Sequence, residues 1–414
     1  MRYDVVIVGG GAAGLMAAVT AARRGKSVLL LDKNERLGKK LRITGKGRCN
    51  VTNDCTVEEV IASVVNGGRF LYSALSAFPP QAVMEFFENL GVPLKTERGR
   101  RVFPASDRAD DVADALVREV REAGVDVRKD TVTAVLTQDG AVTGVRTAAG
   151  EIPSEAVILA CGGASYPGTG SNGDGYKLAK ALGHTVGEIV PSLVPLVSND
   201  EDCPRLMGLS LRNCRLWVTE AGRKKPVFEE FGELLFTHFG LSGPTVLSAS
   251  AHLRPMLPGK FTAHIDLKPA LDPQKLDARI LRDFSKNQNR IFANALDELL
   301  PQKLIPVVIA RSGIAPETRC HSITREERQR LCGLLKDFTV EIEGFRPIAE
   351  AIVTSGGVST KEIDPRTMQS KLVGGLYFAG EMIDCDAYTG GYNLQIAFST
   401  GRLAGAECIR GRAL

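Results

Sequence analysis

The first hydrophobic block, Val5-Val-Ile-Val8, is continuous rather than alternating, which predicts a strand buried on both faces, as in a parallel sheet. Helix formers run from Leu15 to Arg23 and stop at Gly25. Ser27-Val-Leu-Leu-Leu31 is a second continuous run, closed by Asp32. The same pattern returns at Ala156-Val-Ile-Leu-Ala160 and at Leu376-Tyr-Phe-Ala379, the latter ahead of an Ala-rich C-terminal helix. A further helix is expected near Ala109–Ala123.

The middle of the chain has another texture. Ser192–Ser198, Leu211–Thr219, Glu233–Thr237 and Phe261–Leu267 alternate or cluster as antiparallel strands do, with Gly and Pro between them. From Pro269 to about Lys336 the pattern is helical, with Asp272-Pro273 as a start and Thr324-Arg-Glu-Glu327 as a capping box. Asp337–Glu343 reads as another strand. The prediction is an α/β protein whose Rossmann-like domain is built from both chain ends, residues 1–190 and 346–414. A β-rich, barrel-like domain is inserted over 191–268 and 337–345, and it carries a helical subdomain over 269–336.

Composition narrows the class. At 414 residues the chain exceeds a single core, which stops growing near roughly 250–300 residues. It is 44% hydrophobic and 24% charged, and no uncharged apolar run reaches the roughly 18 residues of a membrane span. A formal charge of +4 is small for this length, so neither nucleic acid nor membrane is expected as a partner. Nine cysteines without an even framework, and an N-terminus that enters a strand directly, point to the cytoplasm. No metal site is expected, and nothing in the pattern sets an oligomeric state.

The chemistry begins at Gly9-Gly10-Gly11-Ala12-Ala13-Gly14, where glycines occupy the three positions of G-x-G-x-x-G between a strand and a helix. Gly9 allows the tight turn, Gly11 lets the backbone approach a pyrophosphate, and Gly14 lets helix and sheet pack closely. Unpaired N–H groups at Ala12 and Ala13 face the phosphates. Asp32, 23 residues beyond Gly9, is placed to accept from the adenosine ribose, with Lys33 beside it. This fingerprint predicts a dinucleotide and by itself does not choose between FAD and NAD.

Three later segments choose FAD. They are the basic loop Gly38–Asn53, the stretch Cys161–Gly175 after the Ala156 strand, and Gly380-Glu381 with Thr389-Gly-Gly-Tyr-Asn-Leu-Gln395. With Arg101–Ser106, Gly232–Pro244 and Thr354-Ser-Gly-Gly-Val358, they make the whole chain resemble the aminoacetone-oxidase-like (YhiN- or BaiN-type) bacterial FAD flavoproteins. The resemblance implies an FAD-dependent oxidoreductase acting on a small organic molecule, either oxidising an amine-type donor with oxygen or reducing a C=C bond. It extends the cofactor-binding set to Gly45, Arg48, Cys49, Asn50, Val132, Ala160, Gly162, Asp174, Gly380, Glu381, Gly391, Asn393, Leu394 and Gln395. FAD is expected to be non-covalent. A C-terminal helix opened by Gly390-Gly391 would turn a positive end toward the flavin's pyrimidine edge. No second G-x-G-x-x-G exists, so NAD(P)H as transient donor would bind without that fold.

His238 is the candidate general acid–base, set against a plain loop-tying role. Tyr166, Tyr388 and Tyr392 lie beside the flavin motifs and either flank the ring or pack the core. Lys46 is a candidate for the pyrophosphate or an anionic substrate, whereas Lys39 and Lys40 are expected to be solvated at the surface. Asp384 and Asp386 are expected to hydrogen-bond within their loop. Rival functions are a thiol/disulfide reductase using Cys49 and Cys55, although their spacing is C-x5-C, and a non-catalytic flavin-binding redox sensor.

Overall fold

The computed structural model describes residues 2–408. Its contacts divide the chain into two compact units, Met1–Ser192 with Pro347–Leu414, and Leu193–Arg346.

The first unit is organised by a parallel sheet. Tyr3–Val8 lies between Val28–Asp32 and the C-terminal half of Gly150–Leu159, while Asp126–Lys129 pairs with Val28–Asp32 on the far side. Leu376–Phe378 completes the sheet in parallel register, Val157 opposite Leu376 and Leu159 opposite Phe378. This strand comes from the far end of the chain. Continuous burial from Val5 to Val8 and from Val28 to Leu31 follows from cover on both faces. The strand Gly150–Leu159 serves two sheets, because Gly150–Pro153 pairs antiparallel with Ala141–Thr147, which in turn pairs with Val132–Gln138.

Two helices cover this sheet with unusually close backbones. A Cβ on Gly401 of the C-terminal helix Tyr392–Glu407 would lie 2.3 Å from the Ala13 carbonyl oxygen, and one on Gly405 would lie 2.4 Å from that of Ala17. The two glycines, one turn apart, thus let this helix lie directly on Ala12–Arg23. The helix Pro80–Asn89 adds an aromatic layer in which Phe86, Phe87 and Phe398 meet edge to face.

The second unit is a seven-stranded sheet built around Ser210–Glu220, Phe228–Thr237 and Phe261–Asp266. Its two terminal strands, Phe338–Ile342 and Gly344–Phe345, are separated in the chain by Glu343 alone, so the sheet curls back on itself. Helices Pro273–Lys286, Ile305–Ser312 and Arg325–Lys336 belong to this unit. Asp272 caps the first through the Lys275 N–H, and Thr324 with Glu327 forms the capping box of the third. The expected strand Ser192–Ser198 is two short pieces, Val190–Ser192 and Leu196–Val197, because Leu193 takes a left-handed conformation at φ 55°.

Candidate active site

The glycine turn after the first strand behaves as its spacing requires. A Cβ on Gly14 would fall 1.8 Å from the Gly9 carbonyl oxygen, and one on Gly9 would fall 2.5 Å from that of Ala160. At Gly11 the same test meets nothing within 4 Å, so the helix begins on open space. That helix has neither a side-chain cap nor an acid in its first turn. Its first N–H groups, around Ala12 and Ala13, are left for a ligand phosphate.

Asp32 is held in place by the chain. Its Oδ2 accepts from the Gly10 N–H at 2.6 Å, and its Oδ1 accepts from the Asn34 N–H and side-chain amide. A carboxylate has about four acceptor positions, so capacity remains for ribose hydroxyls. Lys33 donates to Asn172 at 2.7 Å and pairs with Asp174 at 2.9 Å, tying this strand end to the helix Asp174–Ala181. Ala160 and Gly162 line the adjacent strand end, where the Ala160 N–H bonds Val8 and Gly162 takes φ 74°. Val132 opens the antiparallel strand Val132–Gln138.

The second centre joins the two chain ends. Lys40 donates to Ser165 Oγ at 2.7 Å and to Glu381 Oε2 at 2.8 Å. The other Glu381 oxygen accepts from the Thr354 N–H at 2.8 Å and from its hydroxyl at 3.2 Å. Burial raises the Glu381 pKa, but the Lys40 charge and these donors outweigh it and hold the carboxyl below its usual range. A Cβ on Gly163 would lie 2.5 Å from Glu381 Oε1, which explains a glycine there. This corrects the expectation that Lys40 is a solvated surface lysine. Its amine is drawn in because a partly buried carboxylate is stabilised by a cation. Lys39 is exposed, as expected.

The basic loop is a run of left-handed residues, Gly45, Lys46, Gly47 and Cys49, inside and after the turn Thr44–Gly47. Arg48 anchors this loop, since it pairs with Glu97 and Asp107 at 2.5 Å and lies over the Phe103 ring. Its charge is therefore already matched within the protein. The buried Oδ1 atoms of Asn50 and Asn53 have no donor among the described residues. Asn53 spends its amide nitrogen on the carbonyls of Gly99 and Gly390.

Gly391 packs against Thr52, where a Cβ would come within 2.4 Å of backbone atoms, and Gly380 takes φ 67°. The C-terminal helix that follows Gly391 has no side-chain cap and no acid in its first turn, so its positive end at Asn393 and Leu394 stays open. Asn393 closes the loop through Ala387 and Tyr388. Gln395 is fully buried and spends its side chain on Thr52, Phe78 and Ser399. Both are therefore committed through their side chains to the protein. Asp386 accepts from the hydroxyls of Ser192 and Ser355.

Burial pushes the Cys49 thiol up to about 12 and the Cys55 thiol up to about 11. Neither forms a thiolate near neutrality, the reverse of what a redox-active pair requires, so the disulfide-reductase reading finds no support here. His238 belongs to the second unit, on the exposed turn between Phe228–Thr237 and Gly240–Ser242. Its ring meets Phe239 edge to face and has no hydrogen-bond partner among the described residues. No group of acids, histidines and cysteines able to hold a metal occurs among the described residues.

Lys40, Ser165 and Thr354 are site residues that spacing alone did not single out. The Thr354-Ser-Gly-Gly-Val358 motif was the available signal.

The site therefore offers one open helix end after a glycine turn, an acid with spare acceptor positions, a partly buried Lys40–Glu381 pair, a loop with unmatched amide oxygens, and a second open helix end. These suit a dinucleotide with a polar ring. The model of the HI0933-like protein Rossmann domain matches residues 3–407. The chain is 33% identical over 405 residues to the 3-dehydro-bile acid delta(4,6)-reductase of Clostridium scindens, covering 96% of this chain and 97% of that one. It is 31% identical over 415 residues to the ribosomal RNA dihydrouridine synthase of Escherichia coli, covering 100% and 99%. Among solved structures, the 3-ketosteroid delta1-dehydrogenase of Sterolibacterium denitrificans aligns with a TM-score of 0.52 at 14% identity, over 98% of this chain and 99% of that one. No helix among the described residues is long and apolar enough to cross a membrane. FAD is the cofactor this cradle holds, and the chain is a member of the HI0933-like family of FAD-dependent oxidoreductases.

Proposed function

We propose that the protein saturates a C=C bond conjugated to a carbonyl in a small ring compound. One observation carries this reading. Two full-length relatives with different substrates bear names that specify the same change, loss of a ring double bond, in a bile acid and in uridine. In both an adjacent carbonyl makes the alkene an acceptor.

Reduced FAD supplies the hydride. The chain's own residues do the rest. The open end of the helix Tyr392–Glu407 would favour negative charge on the flavin ring, and Glu381 with Lys40 would hold its ribityl chain. His238, whose exposed ring has no hydrogen-bond partner among the described residues, is the candidate donor of the proton that completes the addition. The electrons come from NADH or NADPH, bound without a second Rossmann fold. Nine unpaired cysteines support a cytoplasmic location, and the small net charge supports a small substrate over a nucleic acid.

Incubation of the holoenzyme with NADH or NADPH and a panel of ring enones tests this. A product heavier by two hydrogens is expected. Saturation of uridine in RNA, with all free enones untouched, would overturn the small-molecule part. Turnover with amines and oxygen alone would overturn the reduction itself.

A further inference from the structure

Tyr166 has three features that each carry a cost. Its backbone sits at φ 50° and ψ 58°, the left-handed region, in a residue with a bulky side chain. It precedes Pro167, which further restricts its backbone. Its ring is 36% exposed, and its hydroxyl has no partner among the described residues. The surrounding loop enforces this conformation. The Tyr166 carbonyl accepts from the Thr169 N–H at 2.8 Å and from its hydroxyl at 2.7 Å, and the Tyr166 N–H donates to Ala349. Strain of this kind, held by its surroundings, points to a functional position.

Its neighbours say which function. Ser165, the preceding residue, is fully buried and takes the Lys40 amine that also holds Glu381. Ser165 Oγ donates in turn to the carbonyl of Ile352, whose side chain is 37% exposed. Tyr166 and Ile352 thus stand, both exposed, on neighbouring backbone segments next to the Lys40–Glu381 pair assigned to the flavin's ribityl side, in the same unit of the protein. The nearby Lys40 is already matched by Glu381.

We propose that Tyr166 and Ile352 are the substrate wall, receiving the flat apolar face of a conjugated ring and disfavouring acyclic dicarboxylates. The proposal rests on the reduction reading above and names the substrate class for it. An aromatic ring stacks on a planar π-system, Ile352 adds apolar contact, and neither offers a counter-charge to a carboxylate.

The test reads binding rather than turnover. 4-Androstene-3,17-dione, uridine and fumarate are each titrated into oxidised, FAD-loaded protein, and the flavin absorbance band is followed. A ring probe should perturb the band and fumarate should not. Tyr166→Phe should bind within about threefold of the parent. Tyr166→Ala and Ile352→Asp should weaken ring binding by about tenfold or more at unchanged FAD content. Tyr166→Gly should melt about 2 °C above Tyr166→Ala, inverting the usual order, because glycine relieves the left-handed strain. The proposal is overturned if neither ring probe binds, if fumarate binds equally well, if Tyr166→Ala leaves ring affinity intact, or if the Gly variant melts below the Ala variant. Ring binding without reduction would sink the proposed reaction and leave this wall standing.

Discussion

Lys40 Nζ lies 2.8 Å from Glu381 Oε2, and the two residues are 341 positions apart in the chain. This contact fastens the N-terminal loop to the strand end that the C-terminus supplies. Lys40→Met should cost about 1.5–3 kcal/mol at pH 7, because a partly buried carboxylate loses its charged donor. The folded Glu381 pKa is depressed, so its contribution is present above the ordinary carboxylate range and is lost as pH falls through and below it. Urea unfolding of parent and variant should therefore differ most at neutral pH and converge below about pH 4. An equal gap at both ends of the range would mean that Lys40 acts only by packing.

His184 gives a second pH dependence of the same sign. Its side chain is buried between Glu362 at 3.2 Å and Ser370 at 2.9 Å. Burial lowers its pKa more than Glu362 raises it. Stability tied to neutral His184 is complete above the unfolded value of about 6.5 and is lost as pH falls below it. His184→Gln should flatten the melting curve between about pH 7 and pH 5 relative to the parent. An unchanged slope would rule His184 out as its source.

Gly401 is set against the Ala13 backbone, where a Cβ would approach to 2.3 Å. Gly401→Val should lower stability by about 1–3 kcal/mol or more by forcing the two helices apart. FAD affinity should fall with it, since both helices start with uncapped N-termini of the kind that binds phosphate and anionic groups. Calorimetry and equilibrium dialysis read the two effects separately. Full affinity in a destabilised variant would detach the helix ends from the cofactor.

The thiols should be dispensable and His238 should not. Cys55→Ser removes a protonated, buried thiol and should leave the flavin-reduction rate within about twofold. His238→Ala should keep the FAD spectrum and lose about 10²–10⁴-fold in substrate turnover, the range for removing a general acid. Rapid-reaction absorbance reads flavin content and rate in one trace. Loss of turnover in Cys55→Ser with none in His238→Ala would restore the disulfide reading.

Residues that act on near neighbours were legible in the sequence. Gly9, Gly11, Gly14 and Asp32 are placed by spacing within one strand–helix–strand unit, and the Thr324–Glu327 capping box lies within a single turn. Residues whose meaning depends on distant partners were not. Lys40 looks like any surface lysine until Glu381 is folded against it, and the loop charge of Arg48 is matched by Glu97 and Asp107. Gln395 stands in a flavin motif, yet its side chain packs the interior between Thr52 and Phe78. Tyr166 shows only as a tyrosine beside a motif, because its left-handed backbone is imposed by Thr169 and Ala349.

The claim that the flavin delivers hydride to a conjugated C=C bond is tested most directly by the reoxidation half-reaction. Holoenzyme reduced anaerobically with dithionite is mixed with 4-androstene-3,17-dione and other ring enones, and recovery of the oxidised flavin band is followed in the stopped-flow. The account predicts enone-dependent reoxidation that saturates with concentration and yields a product carrying two additional hydrogens. Flavin that stays reduced with every enone and with uridine-containing RNA, yet reoxidises promptly with oxygen after reduction by an amine, would contradict it.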